Sequence, residues 1–301
     1  MKLAVGIFKW LLITVVSVVA LVFAYSSYVT LSFDTQTLPE NHGQVQTRLF
    51  LSGNSQQPLV VGLAGGEGGN GWAGPDGEKQ RILLAANGYA FLSVAYFGDE
   101  GTPVNLDRIA IEGVHKAVME ASQQPQINPN CIAVMGVSRG GELALLLGSY
   151  YPEYKSVIGI VPGSAVFPAL TAAMTTAGFS HNNESLPFVP VPWSATPALM
   201  SGNLRGAFEK MMKNTEAMAA AAIKLENISG PVLLISGTTD EQWPSLEMSE
   251  AMLQRLRDNN FPYAVQHLPL EGGHNEHHDE FDKVILFLDE HLRSQPGCAR
   301  E

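Results

Sequence analysis

Ser138, Asp240 and His274 are the residues whose types and order could carry nucleophilic acyl chemistry. Ser138 is the centre of Gly136-Val137-Ser138-Arg139-Gly140, entered from the apolar run Ile132-Ala133-Val134-Met135 and left through Glu142-Leu143-Ala144-Leu145-Leu146-Leu147. A strand that turns at once into a helix forces its pivot into a positive-φ backbone, which flanking residues without side chains make tolerable. Such an elbow lifts the Ser138 hydroxyl off the sheet edge and aims the helix N-terminus at the reacting oxygen.

An activated serine needs a base, and the base needs an orienting carboxylate. After the apolar run Pro231–Ser236 comes Gly237-Thr238-Thr239-Asp240, which makes Asp240 the expected acid and Glu241 the second candidate. After the run ending at Leu268 comes Glu271-Gly272-Gly273-His274-Asn275, a glycine-flexed loop that delivers His274 as the base. His277 and His278 follow closely; adjacent side chains on a helix point in different directions, so they read as solvated surface residues and no metal is expected. Two N–H donors must face the developing oxyanion. One is assigned to Arg139, and the other to Gly66 or Glu67 in Leu63-Ala64-Gly65-Gly66-Glu67-Gly68-Gly69. No Gly-Lys-Ser/Thr closes that glycine run, which argues against a phosphate loop, and no cofactor is expected.

These residues must be positioned by a scaffold. Short β-branched runs at 46–51, 59–63, 90–94, 131–135, 156–161, 232–236 and 263–268 alternate with amphipathic stretches at 106–122, 246–257 and 277–292. That rhythm predicts an α/β fold, a mostly parallel, doubly wound sheet with helices on both faces. The stretch from Phe167 to Met218, rich in Pro, Met and Phe, breaks the rhythm and reads as a helical lid insertion at about 165–220. Phe179, Phe188, Trp193, Met200, Leu204, Phe208 and Met211 are its expected acyl-pocket residues, with a self-contained helical subdomain as the alternative.

The segment from Trp10 to Phe33 carries no charge and follows Lys2 and Lys9. Roughly 20 apolar residues cross a bilayer, so residues 1–33 read as a signal-anchor, with Tyr25 and Tyr28 at the interface, or as a signal peptide cleaved after Ala24. A buried core helix is the remaining alternative. The lysines precede the apolar run, which places the catalytic domain, residues 34–301, on the non-cytoplasmic side, periplasmic or extracellular. A net charge of −11 without any basic cluster argues against nucleic acid as a partner. Cys131 and Cys298, the two cysteines, offer no disulfide framework, and Cys131 reads as a small buried apolar residue.

Three further marks are Ala95-Tyr96-Phe97-Gly98, the elbow continuing through Arg139-Gly140-Gly141-Glu142, and Asp240-Glu241-Gln242-Trp243-Pro244-Ser245. With Gly65 and Gly273-His274 they make the chain, from about Leu59 to Leu292, resemble the C-terminal catalytic domain of the acyl-CoA thioesterase and bile acid-CoA:amino acid N-acyltransferase family. The resemblance implies an α/β-hydrolase fold with Ser138 as nucleophile, Asp240 as acid and His274 as base. In that family acyl transfer to an amine goes with a cysteine nucleophile, so Ser138 implies water as acceptor. Relatives carry a β-sandwich domain where this chain has the apolar segment and a short connector. Ser245 is expected to cap the helix from Leu246, with Pro244 fixing its approach and Trp243 packing beneath. The expected activity is a serine hydrolase of acyl thioesters or carboxylic esters. The alternatives are an esterase or peptidase of the dienelactone-hydrolase or prolyl-oligopeptidase kind, and an inactive membrane-tethered binding module.

Overall fold

The computed structural model describes residues 2–275 and 280–298. His277 and His278 lie outside the described residues. The first element is a 31-residue helix, α1 (Lys2–Ser32). Its stretch Gly6–Ser32 has a mean hydropathy of 2.5, none of that apolar window is buried, and it is long enough to span a bilayer. A soluble core helix would be covered by the protein, and this one is not.

A seven-stranded sheet forms the centre. It consists of β1 (Gln46–Phe50), β2 (Gln57–Leu63), β3 (Ala90–Ala95), β5 (Ile127–Val137), β6 (Tyr154–Ile160), β9 (Val232–Gly237) and β10 (Val265–Leu270), in the order β1-β3-β2-β5-β6-β9-β10. Only β1 runs antiparallel to its neighbour; the remaining pairs are parallel. Strands β2, β3 and β9 are buried along their whole length, which is why they read as continuous apolar runs instead of alternating ones. Helices α2 (Glu78–Ala86), α3 (Ile111–Ser122), α4 (Arg139–Tyr150), α8 (Ser245–Asp258) and α9 (Phe281–Phe287) flank the sheet, and α9 runs on into a π-helical turn at Leu288–Leu292. One core packs Val61, Val134 and Leu234 with Val114 and Leu145 of α3 and α4. The other packs Val60, Ala133 and Leu233 with Val284 and Leu288.

The sequence predicts one helix over 106–122, whereas α3 starts at Ile111 and Ile109–Ala110 form a short strand, β4. Arg108 sits at φ +47, which ends any helical path there. Its N–H and that of Ile109 donate to Ala177 and Gly178, each at 2.9 Å, so β4 pairs with β7 (Phe179–His181), which in turn pairs with β8 (Glu184–Ser185). These partners lie some seventy residues on and leave no local periodicity.

Between β6 and β9 the chain leaves the sheet for the insertion. It carries β7, β8, α5 (Thr196–Met200), α6 (Leu204–Met211) and α7 (Thr215–Ala221). Asn203 and Asn214 accept the N–H groups of Gly206 and Ala217 and so cap α6 and α7.

The reading of Cys131 as an unpartnered apolar residue is corrected. Cys131, at the buried start of the β5 core run, is disulfide-bonded to Cys298 across a sequence separation of 167, with the Cα atoms 5.0 Å apart. The bond ties the C-terminal segment beyond Leu292 to the central strand. Reduction, or Cys298→Ser, is expected to lower unfolding stability by about 2–5 kcal/mol. Denaturant titration with and without reductant measures this, and coincident curves would contradict it.

Candidate active site

Strand β5 ends at Val137 and α4 begins at Arg139, leaving Ser138 alone between them at φ 56 and ψ −119. The Ser138 N–H donates to Ile160 at 2.8 Å and its carbonyl accepts the Glu142 N–H at 3.1 Å, so the pivot is fixed from both directions. A β-carbon at Gly136 would overlap the Gly140 carbonyl, and one at Gly140 would overlap the Leu63 and Ala64 carbonyls. Neither position admits a side chain while the turn keeps this shape. The Arg139 N–H, first in α4, has no intrahelical acceptor.

Asp240 follows β9 and is fully buried. Its Oδ1 accepts the N–H groups of Gln242 at 2.9 Å and Trp243 at 3.2 Å. The His274 Nδ1 lies 2.9 Å from Oδ1 and 2.8 Å from Oδ2. Burial alone would raise the Asp240 pKa, but the hydrogen bonds from His274 and Ser245, the imidazole's charge and the Gln242 N–H together hold it below the usual carboxylate value. Glu241, the second candidate acid, does a different job: its Oε2 accepts the His274 backbone N–H at 3.1 Å and so holds the glycine-flexed loop. Asp240 orients the ring while Glu241 holds the backbone that carries it.

Trp243 is buried against this pair. Its ring makes an edge contact with His274 at 6.2 Å, and its indole N–H donates to the Val161 carbonyl at 3.0 Å. Val161 adopts φ 42, unusual for a β-branched residue, and in doing so presents that carbonyl. Ser245 is not the expected cap. Helix α8 begins at Ser245 itself, after Pro244, and its hydroxyl accepts the Gly237 N–H at 3.3 Å while also bonding to Asp240.

The glycine loop after β2 lies beside the elbow. A β-carbon at Gly65 would stand 3.4 Å from Ser138 Cβ, and one at Gly66 3.5 Å from Arg139 Cγ. The Gly65 N–H is taken by Glu67 Oε1 at 3.0 Å. The Ala95–Gly98 motif supports this loop from below: the Tyr96 hydroxyl donates to the Ala64 carbonyl at 2.7 Å, and the Gly69 N–H donates to Phe97 at 2.8 Å. Full burial pushes the Tyr96 hydroxyl pKa up, so it stays a neutral donor. The sequence marks this motif only as a similarity, without showing what it holds.

Ser138 and His274 share the wall of one cavity of about 670 Å³ with Ala64, Gly66, Glu67 and Arg139. Leu204, Phe208 and Met211 of the insertion line it, as the sequence anticipates, together with Leu170, Met174 and Leu199. Four expected pocket residues are corrected. Phe179 is wholly buried beneath the Arg139 guanidinium, 5.5 Å from its ring, and Phe188 packs on the main core. Trp193 and Met200 are 61% and 64% exposed, and Trp193 stacks on Phe23 of α1 at 5.3 Å. In an insertion of short helices, hydrophobicity does not say which face meets the cavity. The cavity's aromatic support is Phe167, Phe208 and Trp243, in contact at 5.0–5.8 Å.

Two arginines tie the insertion to the site. Arg139 pairs with buried Glu142 at 2.8 Å and donates to the Phe167 and Pro168 carbonyls at 3.2 and 3.1 Å, while Glu142 Oε1 accepts the Phe167 N–H. Arg205 on α6 donates to the Asp240 carbonyl at 3.0 Å and pairs with Glu209 and Glu247. Without Arg139 the Glu142 carboxyl must take up a proton and the Phe167 and Pro168 carbonyls lose their donor, so Arg139→Met is expected to cost about 3–5 kcal/mol in chemical denaturation.

Burial pushes the Glu142 carboxyl up to about 7 against the opposing pull of Arg139 and the Phe167 N–H. A folded pKa above the ordinary 4.5 means that its stabilising contribution is full below 4.5 and is lost as pH rises through 7. The stability of wild type relative to Glu142→Gln should therefore fall between those pH values; a pH-independent difference would contradict the shift.

The sheet order, the elbow at Ser138 and the insertion over it define an α/β-hydrolase fold. The family described as BAAT / Acyl-CoA thioester hydrolase C terminal matches residues 109–277, and the chain belongs to it. A mouse relative, acyl-coenzyme A thioesterase 6, is 27% identical over 223 residues, covering 73% of this chain and 49% of the relative. The chain thus spans about half the length of the curated relatives it matches. Among solved structures, the Pyrococcus horikoshii acylaminoacyl peptidase superposes with a TM-score of 0.59 at 15% identity, covering 84% of this chain and 40% of that one. Acetyl xylan esterase 1 from Thermoanaerobacterium superposes with a TM-score of 0.53 at 14% identity, covering 83% and 80%. At these identities the likeness concerns the fold.

Proposed function

We propose that the chain is a serine hydrolase that cleaves acyl thioesters or carboxylic esters through an acyl-Ser138 intermediate. The observation that carries this reading is the buried Asp240 carboxylate on His274 Nδ1, opening onto the same cavity as the strained Ser138 pivot. His274 takes the Ser138 proton as Oγ attacks the acyl carbonyl, and Asp240 holds the imidazole and balances the imidazolium. The Arg139 N–H and a second N–H, from Gly66 or Glu67, receive the oxyanion. The proton on His274 then goes to the leaving thiol or alcohol as the C–S or C–O bond breaks. Water, deprotonated by His274, hydrolyses the acyl-serine and releases the acid.

The apolar side of the cavity suits an acyl chain, with the insertion acting as its lid. The test is a rate comparison on p-nitrophenyl esters, acyl thioesters and peptide amides. Ester and thioester turnover should exceed amide turnover by about a hundredfold or more, given the intrinsic reactivity of the leaving groups. A preference for amides would favour the peptidase alternative.

We also propose that α1 anchors the chain with the catalytic domain outside the cytoplasm. Lys2 and Lys9 before the apolar stretch support that orientation, and the Cys131–Cys298 bond supports an oxidising compartment. Protease accessibility of the catalytic domain in spheroplasts tests the sidedness; protection until the spheroplast membrane is lysed would overturn it.

A further inference from the structure

From Leu186 to Leu204 the insertion carries no Asp, Glu, Lys or Arg, although 16% of the chain is charged. Part of that uncharged run faces the cavity, where Leu199 and Leu204 join the wall. Trp193, ahead of α5, and Met200, at its end, are outside the wall and exposed. Ala195, Ala198 and Ala207 pack the turn that carries Trp193 against α5 and α6, so these side chains belong to one tip. Leu204 and Leu170 line the cavity and are still 40% and 38% exposed, which puts them at its mouth. The insertion therefore turns an uncharged apolar tip outward beside the opening of the candidate site. An exposed apolar surface so placed marks a protein or membrane contact.

Helix α1 indicates which of the two it is. Trp193 stacks on Phe23 of α1, with the ring planes 23° apart. Trp193 and Met200 stay mostly exposed with α1 in place, so the helix itself does not cover the tip. Phe23 lies within the apolar stretch Gly6–Ser32. Measured from Lys9 at the inner edge of a bilayer, Phe23 stands about 20 Å up the helix axis. A hydrocarbon core about 30 Å thick then ends about 10 Å beyond it. A ring stacked on Phe23 thus lies at about the depth, roughly 5–10 Å, to which surface-seated apolar faces enter a leaflet.

Resting on the anchor and acyl-serine readings above, we propose that the Trp193–Met200 tip seats in the near leaflet of the bilayer that holds α1, and that the cavity draws its acyl donors from that leaflet. The substrate class is an ester or thioester whose acyl chain is dissolved in the bilayer. Such a chain passes Leu170 and Leu204 into the apolar wall without crossing water, and the acyl-serine chemistry is unchanged.

Both cysteines of the chain are disulfide-bonded, so a cysteine introduced at Met200 supplies a single free thiol. Full-length Met200→Cys bearing a nitrobenzoxadiazole label is reconstituted into phosphatidylcholine vesicles. Gln124→Cys is the control, because Gln124 is exposed and precedes β5, at the end of the sheet opposite Ser138. Lipid with a nitroxide near the top of its acyl chain should quench the Met200 label about threefold or more beyond the Gln124 label. A Met200 label as aqueous as the control would overturn the proposal. So would one shielded from water without nitroxide quenching, since a second protein surface would then cover the tip. In the Trp193→Ser/Met200→Ser variant, kcat/KM for p-nitrophenyl palmitate carried in the vesicles should fall about tenfold or more, with water-soluble p-nitrophenyl butyrate hydrolysed as by wild type. An equal loss on both esters, or none on palmitate, would contradict delivery from the leaflet. Flotation with the vesicles reports separately on the anchor: a chain that does not float overturns that reading and this proposal with it. Loss of p-nitrophenyl butyrate hydrolysis in Ser138→Ala reports separately on the acyl-serine reading.

Discussion

Ser138→Ala is expected to lower kcat for ester hydrolysis by a factor on the order of 10⁴–10⁶, the range seen when the nucleophile of a serine-histidine-carboxylate set is removed. The size follows from what the oxygen does. Without it there is no covalent intermediate, and the residual rate rests on the oxyanion donors and on binding alone. Stability should stay close to wild type, because the pivot is fixed by backbone hydrogen bonds from Ser138 to Ile160 and from Glu142 to Ser138, which alanine keeps. An alanine variant that retains more than about a tenth of the activity would place the nucleophile elsewhere.

Asp240→Asn is expected to lower kcat by about 10³–10⁴ with the fold retained, on the scale of the same substitution in other serine-histidine-carboxylate enzymes. The structure makes this a clean separation of charge from scaffold. An asparagine oxygen can still accept the Gln242 and Trp243 N–H groups that shape the turn, and the Arg205 tie to the residue 240 carbonyl involves only backbone. What the substitution removes is the negative charge against His274 Nδ1, and with it the preference for the tautomer that carries its proton on Nδ1 and leaves Nε2 able to accept one. Steady-state kinetics and thermal unfolding on one preparation give both readouts. Wild-type kcat in the variant would mean that the Asp240–His274 contact is structural.

What was legible in the sequence is what is local. The elbow is legible because its strand, its glycines and its helix are contiguous, and the candidate acid and base because Asp240 and His274 each follow an apolar strand at a turn. The sheet could be read because strands such as Val232–Gly237 are buried on both faces and therefore apolar throughout. What was hidden depends on partners distant in sequence. Cys131 finds Cys298 across 167 residues, and Ile109 pairs with a strand inside the insertion. Which aromatic residues of the insertion meet the cavity is settled by tertiary packing, so Phe208 lines it while Phe179 and Trp193 do not. The division of labour between Asp240 and Glu241 is also tertiary, since adjacent carboxylates hold the ring and the backbone of one histidine.

The central claim is that Ser138 is the acyl-accepting nucleophile. A fluorophosphonate probe reacts with a serine activated in this way and leaves a covalent phosphonyl adduct that peptide mass spectrometry can place. The account predicts a single adduct on the peptide containing Ser138 in wild type, and none in Ser138→Ala. Labelling of both proteins alike, or an adduct on another residue, would contradict it.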